Sequence, residues 1–464
     1  MPRAHGDAGS FRDPASRVFF VGDDVRRALS PEGLADYVAL SGSGLLADPR
    51  LIATERLDGT DAPVALPDGV AAVLRHARVP FVSYPYEWTF SMLRDAALVQ
   101  LDLTLAALGH GLMLKDATPY NVQFVGAQPT FIDVGSFERL HPEELWVAYR
   151  QFCRQYLFPL LLQAHKGVAF QPWLRGAIDG VSASDFRGLT SVRDRVRRGY
   201  LTNVFLQARL DARVTGGGAP RAPKLTPEVG TRLIGANVTK MRRLVARLKW
   251  EPPRGEWVRY GADNTYSHAD AARKDEFVRA AVETQRWNLA WDLGCNNGRH
   301  ARIAAARAAH VVAIDSDPGT VELLYRELRA EGSTTILPLT VNLADPSPGL
   351  GWRGLERASL LERGQPDLVL ALALVHHLAI GNNIPLAEVV DWLASLGAAL
   401  IVEFPTREDP MVESLLARKR RDLHADYDIS LFERHLTKAF RIERQEKLES
   451  GTRQLYFAIP KEKP

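Results

Sequence analysis

Short apolar runs and stretches of helical spacing alternate along the second half of the chain. Strands are predicted at 288–293, 310–315, 335–341, 367–373, 398–404, 440–446 and 453–459. Helices are predicted between them at 298–309, 318–330 and 384–396. Because strands joined through helices of this length form right-handed βαβ units, the pattern predicts a parallel sheet covered by helices.

The first half of the chain has a mixed pattern. An alternating stretch at 17–29 predicts a hairpin, and Ser30 followed by Pro31 is typical of a helix start. Further helices are predicted at 93–108 and 142–164, and two short strands at 122–125 and 130–133. This half is therefore expected to be an α+β domain.

A run rich in glycine and proline, residues 215–223, is the clearest linker in the chain. We therefore place the domain boundary there. The predicted units are a disordered tail at 1–16, an α+β domain at 17–214, a linker at 215–225 and an α/β domain at 226–464.

Composition bears on the partners and the cellular compartment of the protein. The formal charge of +3 over 464 residues is close to neutral, which gives no case for a nucleic-acid partner. The basic runs at 195–198 and 418–421 are typical of solvated helix faces. The longest apolar run, 368–380, is interrupted by two histidines and is too short to cross a bilayer. With two distant cysteines and no apolar leader, we predict a cytoplasmic protein without a membrane span.

A candidate cofactor site follows the first strand of the second half. The segment 289–298 combines a buried strand, the acid Asp292 and a glycine-containing turn that opens a helix. The next strand ends in Asp315, which is 23 residues after Asp292 (315 − 292) and suits a carboxylate that binds ribose hydroxyls. The third strand leads into 342–345, whose polar groups suit an adenine edge.

Two nucleotide cofactors compete for this site. A dinucleotide requires G-x-G-x-x-G, and residues 294–298 are one glycine short of it. Asp292 would also repel a pyrophosphate, whereas it suits the cationic methionyl end of S-adenosylmethionine (SAM). The pattern therefore favours SAM over NAD.

The segment 292–298 (DLGCNNG), followed by Ala313-Ile314-Asp315, resembles the first two motifs of class I SAM-dependent methyltransferases. The runs 342–352 and 371–380 are similar to a narrower group, the NoeA-like nodulation proteins. The resemblance implies a Rossmann-like, seven-stranded methyltransferase sheet that ends in an antiparallel hairpin. The predicted cofactor-binding residues are Tyr266, Asp292, Gly294, Cys295, Asn296, Gly298, Asp315, Ser316, Asn342, Leu343 and Ala373.

The residues after the fourth strand face the methyl group in this fold. His376 and His377 lie there, and either imidazole could accept a proton near neutral pH, or both could only shape the pocket. A metal role is disfavoured, because adjacent residues on a strand point to opposite faces. Glu403 either faces the acceptor or is solvated. Tyr266 and Tyr260 either contact the sulfonium through their rings or pack in the core or a lid.

The first half carries a second motif set. Residues 114–121 and 132–135 resemble the catalytic loop and the metal motif of protein-kinase-like phosphotransferases. The resemblance implies a kinase-like α+β domain, with Asp116 as the catalytic carboxylate and with Asn121 and Asp133 holding Mg²⁺ beside ATP.

This half departs from the kinase pattern in two ways. No glycine-rich loop occurs in residues 1–80, and no lysine precedes Lys115, although an arginine such as Arg56 could substitute without being equivalent. An active kinase, a degenerate kinase fold that binds substrate or the other domain, and an unrelated α+β domain all remain open.

Three functions follow from these motifs. The first is a SAM-dependent methyltransferase whose N-terminal domain helps to select the acceptor. The second is a bifunctional methyltransferase and kinase, and the third is a non-catalytic protein that keeps SAM as a ligand. The nodulation resemblance favours a small molecule or a glycan over a protein as the acceptor, by analogy.

Overall fold

The three-dimensional structure is a computed structural model that describes residues 4–141, 146–191, 193–194, 226–253, 267–420 and 423–461. The predicted linker at 215–225, the basic run at 195–198, Tyr260 and Tyr266 lie outside these residues. None of the described helices is both long enough and apolar enough to cross a membrane.

The described part of the chain folds into strands and helices in both halves. The strands are β1 (Ala4–Gly6), β2 (Ser16–Val21), β3 (Asp24–Leu29), β4 (Thr54–Leu57), β5 (Ala72–His76), β6 (Leu112–Leu114), β7 (Val122–Val125), β8 (Gln128–Phe131), β9 (Phe137–Arg139), β10 (Trp287–Leu293), β11 (Ala308–Asp315), β12 (Ile336–Thr340), β13 (Leu368–Ala371), β14 (Ala399–Pro405), β15 (Phe440–Lys447) and β16 (Arg453–Pro460). The helices are α1 (Pro31–Gly42), α2 (Phe90–Leu108), α3 (Tyr149–Phe152), α4 (Phe158–Lys166), α5 (Gln171–Gly176), α6 (Ala183–Gly188), α7 (Pro227–Ala246), α8 (His268–Val282), α9 (Arg299–Ala304), α10 (Pro318–Ala330), α11 (Leu386–Ser395), α12 (Pro410–Leu416) and α13 (Ile429–Ala439). Two π-helical turns span Cys153–Leu157 and His377–Gly381.

The second half is built on one sheet of seven described strands. Its order is β12-β11-β10-β13-β14-β16-β15. The strands from β12 to β14 are parallel, whereas β16 runs antiparallel between β14 and β15. The order reverses at β10, which has β11 on one side and β13 on the other. In an open parallel sheet such a switch point opens a crevice at the carboxyl ends of the strands.

The first half contains an antiparallel sheet of five described strands, ordered β1-β2-β3-β5-β4. The predicted hairpin at 17–29 is confirmed by β2 and β3, and the Ser30 side chain caps α1 as its sequence indicates. Two small ribbons, β6 with β9 and β7 with β8, lie beyond α2.

One sequence prediction for this half is wrong, and a second is confirmed only in part. Residues 4–16 were expected to belong to a disordered tail, but β1 pairs with β2, and Asp13 accepts a hydrogen bond from Lys115 at 2.9 Å. The helix predicted at 142–164 is confirmed from Tyr149 onwards, where the first π-helical turn separates α3 from α4, and residues 142–145 lie outside the described part of the chain.

One hydrophobic core runs through both halves. It includes Phe124 of β7, whose ring packs edge-on against Tyr325 of α10, and Phe81, which packs edge-on against Trp291 of β10. Helix α7 was assigned to the second domain, yet it packs on α2 of the first half, where Arg242 pairs with Asp102. The halves therefore behave as one packed body.

Candidate functional site

A cavity of about 440 Å³ opens at the switch point of the sheet, beyond the carboxyl ends of β10 to β13. Nine of the predicted site residues line it: Gly294, Cys295, Asn296, Asp315, Ser316, Asn342, Leu343, Ala373 and His377. Three others, Asp292, Gly298 and His376, do not lie on its wall, and Tyr266 falls outside the described residues. The strand order thus gathers side chains from four loops into one crevice.

The turn after β10 forms one wall of the cavity. Gly294 and Gly298 have φ values of +79° and +76°, and Asn296, with φ of +47°, adopts a conformation that asparagine tolerates better than most residues. The amides of Gly294 and Cys295 donate to the carbonyl of Ile314 at 2.8 and 2.9 Å, which ties the turn to β11. A Cβ at Gly298 would come within 2.6 Å of Leu324, so this glycine allows close helix packing.

Asp315, at the tip of β11, connects the first two loops. One carboxylate oxygen accepts from the amide of Asn296 at 2.9 Å, and the other accepts from the amide of Asp317 at 2.9 Å. Burial raises the pKa of Asp315, although these amide hydrogen bonds oppose the shift. Its position on the cavity wall is the one that a ribose-binding carboxylate requires.

Asp292 lies behind the turn and is 2% exposed. Its Oδ2 atom has no hydrogen-bond partner among the described residues. Burial raises its pKa to about 7, nearby Asp315 adds to the rise, and Lys274 opposes it. A buried carboxylate oxygen without a partner is costly, so this atom is suited to a cationic ligand or to a bridging water.

The two histidines differ in their position. His377 begins the second π-helical turn and lines the cavity, whereas His376 is 1% exposed and both of its ring nitrogens lack hydrogen-bond partners among the described residues. Their ring centroids are 4.1 Å apart. Burial lowers the pKa of His377 to about 4 and that of His376 well below its ordinary value. Both imidazoles are therefore neutral at pH 7.

The strand that was predicted to reach residue 373 ends at Ala371, so both histidines lie on a helical turn. The strand-based reason for disfavouring a metal was therefore incorrect. Within the described ranges, no three His, Cys, Asp or Glu side chains are grouped closely enough to hold a metal ion.

Sequence reasoning missed Lys274 of α8, which lines the cavity although its side chain is only 7% exposed. Its ammonium donates to Glu403 at 2.7 Å, and Arg453 joins Glu403 to Asp409. Glu403 was expected to face the acceptor or the solvent, but it is completely buried within this network. The missing signal is long-range, because Lys274 and Glu403 are 129 residues apart in sequence.

A second polar cluster surrounds Asp116 in the first half. Its carboxylate accepts from Asn121 at 2.6 Å and from Ser136 at 2.5 Å. Burial and the neighbouring charge of Asp133 raise the pKa of Asp116 to about 6. Asp133 pairs with Arg27 of β3 at 2.7 Å, whereas Arg56, suggested from the sequence, is exposed on β4.

The fold and the cavity define a Rossmann-like α/β domain joined to an α+β half. A curated relative, the nodulation protein NoeA of Rhizobium meliloti (strain 1021), is 33% identical over 468 residues, which cover 98% of this chain and 96% of the relative. The chain therefore belongs to the NoeA family. No protein-family model matches the chain.

Solved structures also resemble part of the chain. The N-methyltransferase NodS of Bradyrhizobium japonicum WM9 aligns with 42% of this chain and 99% of its own, at 13% identity and a TM-score of 0.31. Magnesium protoporphyrin IX methyltransferase of Synechocystis PCC 6803, with bound S-adenosylhomocysteine (SAH), aligns with 44% of this chain and 93% of its own, at 17% identity and a TM-score of 0.32. TM-scores this low do not establish a common fold.

Proposed function

We propose that this protein is a SAM-dependent methyltransferase. The observation that carries the proposal is the cavity built from the glycine turn at 294–297 and from Asp315 at the tip of the next strand. The residues fit an adenosyl compound in three places. Asp315 would accept the ribose hydroxyls, the loop at Asn342 and Leu343 would face adenine, and the glycine turn would leave room for the methionyl part.

The charge at the site distinguishes SAM from a dinucleotide. The unpartnered oxygen of buried Asp292 would complement the ammonium of the methionyl group, directly or through a water. A pyrophosphate in the same place would meet this carboxylate and would lack the third glycine of the dinucleotide turn. The cavity therefore favours the sulfonium cofactor.

When bound, SAM supplies a methyl group already activated by a positive sulfur. The protein then has to hold the acceptor in line with the sulfur–methyl bond and exclude water. His377 is the predicted catalytic residue on the cavity wall. Burial lowers its pKa to about 4, which makes its imidazole a weak base, so its position on the wall and not its basicity supports this role. His376 would act behind it by fixing the shape of the turn.

The acceptor that we propose is a small molecule or a glycan. This proposal rests on analogy with the curated relative, which is a nodulation protein.

Phosphotransfer by the first half gains no support from the Asp116 cluster. Asp133 forms an ion pair with Arg27, and Asn121 donates to Asp116, so both proposed metal-holding side chains already have partners among the described residues. The prediction that Asp116, Asn121 and Asp133 act on ATP with Mg²⁺ remains a hypothesis from the sequence. Mg²⁺-dependent ATP turnover that disappears in Asp133→Ala would support it.

Isothermal titration with SAH tests the proposed function. We expect binding by the wild type and a roughly 10- to 100-fold loss in Asp315→Ala, since hydrogen bonds to a charged group contribute about 1.5–3 kcal/mol. Glu331→Ala is the matched control, because this carboxylate pairs with Arg302 on the surface, away from the cavity wall. A wild type that does not bind SAH would refute the proposal.

A further inference from the structure

The loop that is proposed to face adenine continues into a long connection. It contains 27 residues between the end of β12 at 340 and the start of β13 at 368 (368 − 340 − 1). Its regular structure consists of two short 3₁₀ helices, Trp352–Gly354 and Leu360–Glu362. Connections of more than about 12–15 residues with so little regular structure are uncommon in compact domains and are often functional. Three residues at the beginning of this connection, Val341, Asn342 and Leu343, line the cavity. The conformation of the connection therefore determines the shape of the adenine side of the cavity.

Arg175 of α5, in the first half, holds the connection just beyond the cavity. Its two terminal nitrogens donate to the two carboxylate oxygens of Asp345, each at 3.0 Å. The same nitrogens also reach the carbonyls of Asp345 and Pro346 at 3.3 and 3.2 Å. An arginine that contacts a carboxylate through both nitrogens fixes its direction as well as its distance.

A buried anchor from the first half lies next to it. Glu87 accepts from Ser347 at 2.6 Å and forms two hydrogen bonds with Arg363, at 2.6 and 2.7 Å. The Glu87 and Arg363 side chains are each 1% exposed. In addition, the amide of Ala358 donates to the hydroxyl of Tyr84 at 2.8 Å. The connection is thus held at three further points by one short stretch of the first half.

The ribose side of the cavity is supported from the same half. Helix α10 starts just after Asp315, and its Glu322 accepts from the amide and the hydroxyl of Ser91 at 3.0 and 2.6 Å. Tyr325 of the same helix donates to Asp95 at 2.9 Å. Two adjacent parts of the cavity wall are the loop after β12 and the tip of β11. Each continues along the chain into a segment that is hydrogen-bonded to the first half.

We propose that the first half acts as an internal clamp that pre-organises the adenine side of the cofactor cavity, with Arg175, Glu87 and Ser347 as positioning residues. This inference rests on the proposed function. A connection of this length would otherwise lose conformational entropy when it closes on the cofactor. Bonds formed before the cofactor arrives remove that cost from the binding step.

The test compares Arg175→Ala, Ser347→Ala and their double variant with the wild type. Both changes remove polar contacts to the connection and leave its backbone and the buried Glu87–Arg363 pair in place. We expect SAH affinity, measured by isothermal titration, to fall roughly 2- to 10-fold for each single variant and roughly 10- to 30-fold for the double variant. Arg175→Lys should lie between wild type and Arg175→Ala, because an ammonium cannot span both oxygens of Asp345.

Arg139→Ala is the matched control, since Arg139 forms an exposed ion pair with Asp36 inside the first half and should leave SAH affinity unchanged. A second ligand shows whether the loss of affinity arises on the adenine side or on the amino-acid side of the cavity. Binding of 5′-methylthioadenosine, which keeps adenine and lacks the amino acid, should be weakened by the clamp variants as much as SAH binding is. Asp292→Asn should weaken SAH binding alone.

The two proposals fail separately. A wild type that binds neither ligand overturns the proposed function. A wild type that binds SAH, together with a double variant that binds it equally well, overturns the clamp and leaves the methyltransferase proposal intact. A double variant that loses SAH affinity but keeps full affinity for 5′-methylthioadenosine also overturns the clamp.

Discussion

In the proposed methyltransferase function, Asp292 would link cofactor binding to protonation. Its charged form is what a cationic methionyl group requires, but burial raises its pKa to about 7, so it is half protonated near neutral pH when the cavity is empty. Lys274 and Asp315 face it with opposite effects. Because burial dominates, the folded protein binds a proton at Asp292 more tightly than the unfolded chain does.

We therefore expect SAH affinity to increase as pH rises from 6 to 8, because each pH unit below the pKa lowers the charged fraction about tenfold. Asp292→Asn should mimic the protonated form, with an affinity that changes less over this range and approaches that of the wild type at pH 6. Titration calorimetry at several pH values measures both. A wild-type affinity that is constant from pH 6 to 8 would contradict the expectation.

Ionisation of Asp292 should affect protein stability and SAH affinity in opposite directions. Since the folded-state pKa lies above the ordinary value of 3.8, the folded protein holds more protons between pH 4 and 7, and its stability contribution from Asp292 is lost as pH rises through this window. Asp292→Asn should therefore raise the melting temperature of the ligand-free protein at pH 8 and change it less at pH 5. Thermal melts at the two pH values decide this, and an equal shift at both would contradict it.

Gly298 is a second residue whose role can be measured. Gly298→Ala should destabilise the protein by about 1–3 kcal/mol in urea unfolding, because the residue has φ of +76° and its new Cβ would meet Leu324. Gly332→Ala is the matched control, since it has φ of +71° but open space around it. The difference between the two variants isolates the steric contact, and equal losses would show that only the backbone conformation matters.

At the scale of elements, buried charges bind α8 to the sheet. Lys274 of α8 and Arg453 of β16 both contact Glu403 of β14, and all three side chains are nearly inaccessible to solvent. Desolvation makes such a cluster weak evidence for net stability, but removal of one partner leaves the others uncompensated.

Glu403→Ala should therefore destabilise the protein by about 3–5 kcal/mol, as measured by urea unfolding. Glu443→Ala is the control, because its ion pair with Arg441 lies at the surface, and its cost should be at most about 1 kcal/mol. Similar small effects of both substitutions would mean that the buried network contributes little.

Elements with strong local signals could be predicted from the sequence. Helix α10 begins at Pro318 and ends at Ala330 as the pattern indicates, and the predicted strands of the sheet agree with the observed ones to within two residues at each end. Helix α9 is shorter than predicted because the chain turns at Ala305 towards β11. The π-helical turn at 377–381 has no periodic signature, so the strand before it was extended too far.

Some residues of the candidate site could likewise be predicted from the sequence, and others could not. Glycines and acids at strand ends could be identified because their spacing follows the βαβ repeat, and most of them line the cavity. Lys274, which lines the cavity, and Arg175, which contacts the connection just beyond it, could not, because tertiary packing alone brings them there from distant elements.

At the scale of the whole molecule, the shared core implies that the two halves unfold together. Phe81 and Phe124 of the first half pack against Trp291 and Tyr325 of the second, and one cluster of buried residues in the described part of the chain includes both the sheet and α2. We expect one cooperative transition in differential scanning calorimetry and an upward shift of that whole transition with SAH. Two transitions, of which SAH shifts only one, would contradict the prediction.

The ion pair between Arg175 and Asp345 affects whether members of the family can exchange one half of the chain. Its two partners are encoded 170 positions apart, and only a chain that inherits both keeps the contact. A hybrid that joins the first half of one homologue to the second half of another keeps this contact, and that of Glu87 with Arg363, only where the two parents carry matching residues. Under the clamp proposal, a mismatched hybrid should bind SAH more weakly, and restoring the matching partner should recover the lost affinity.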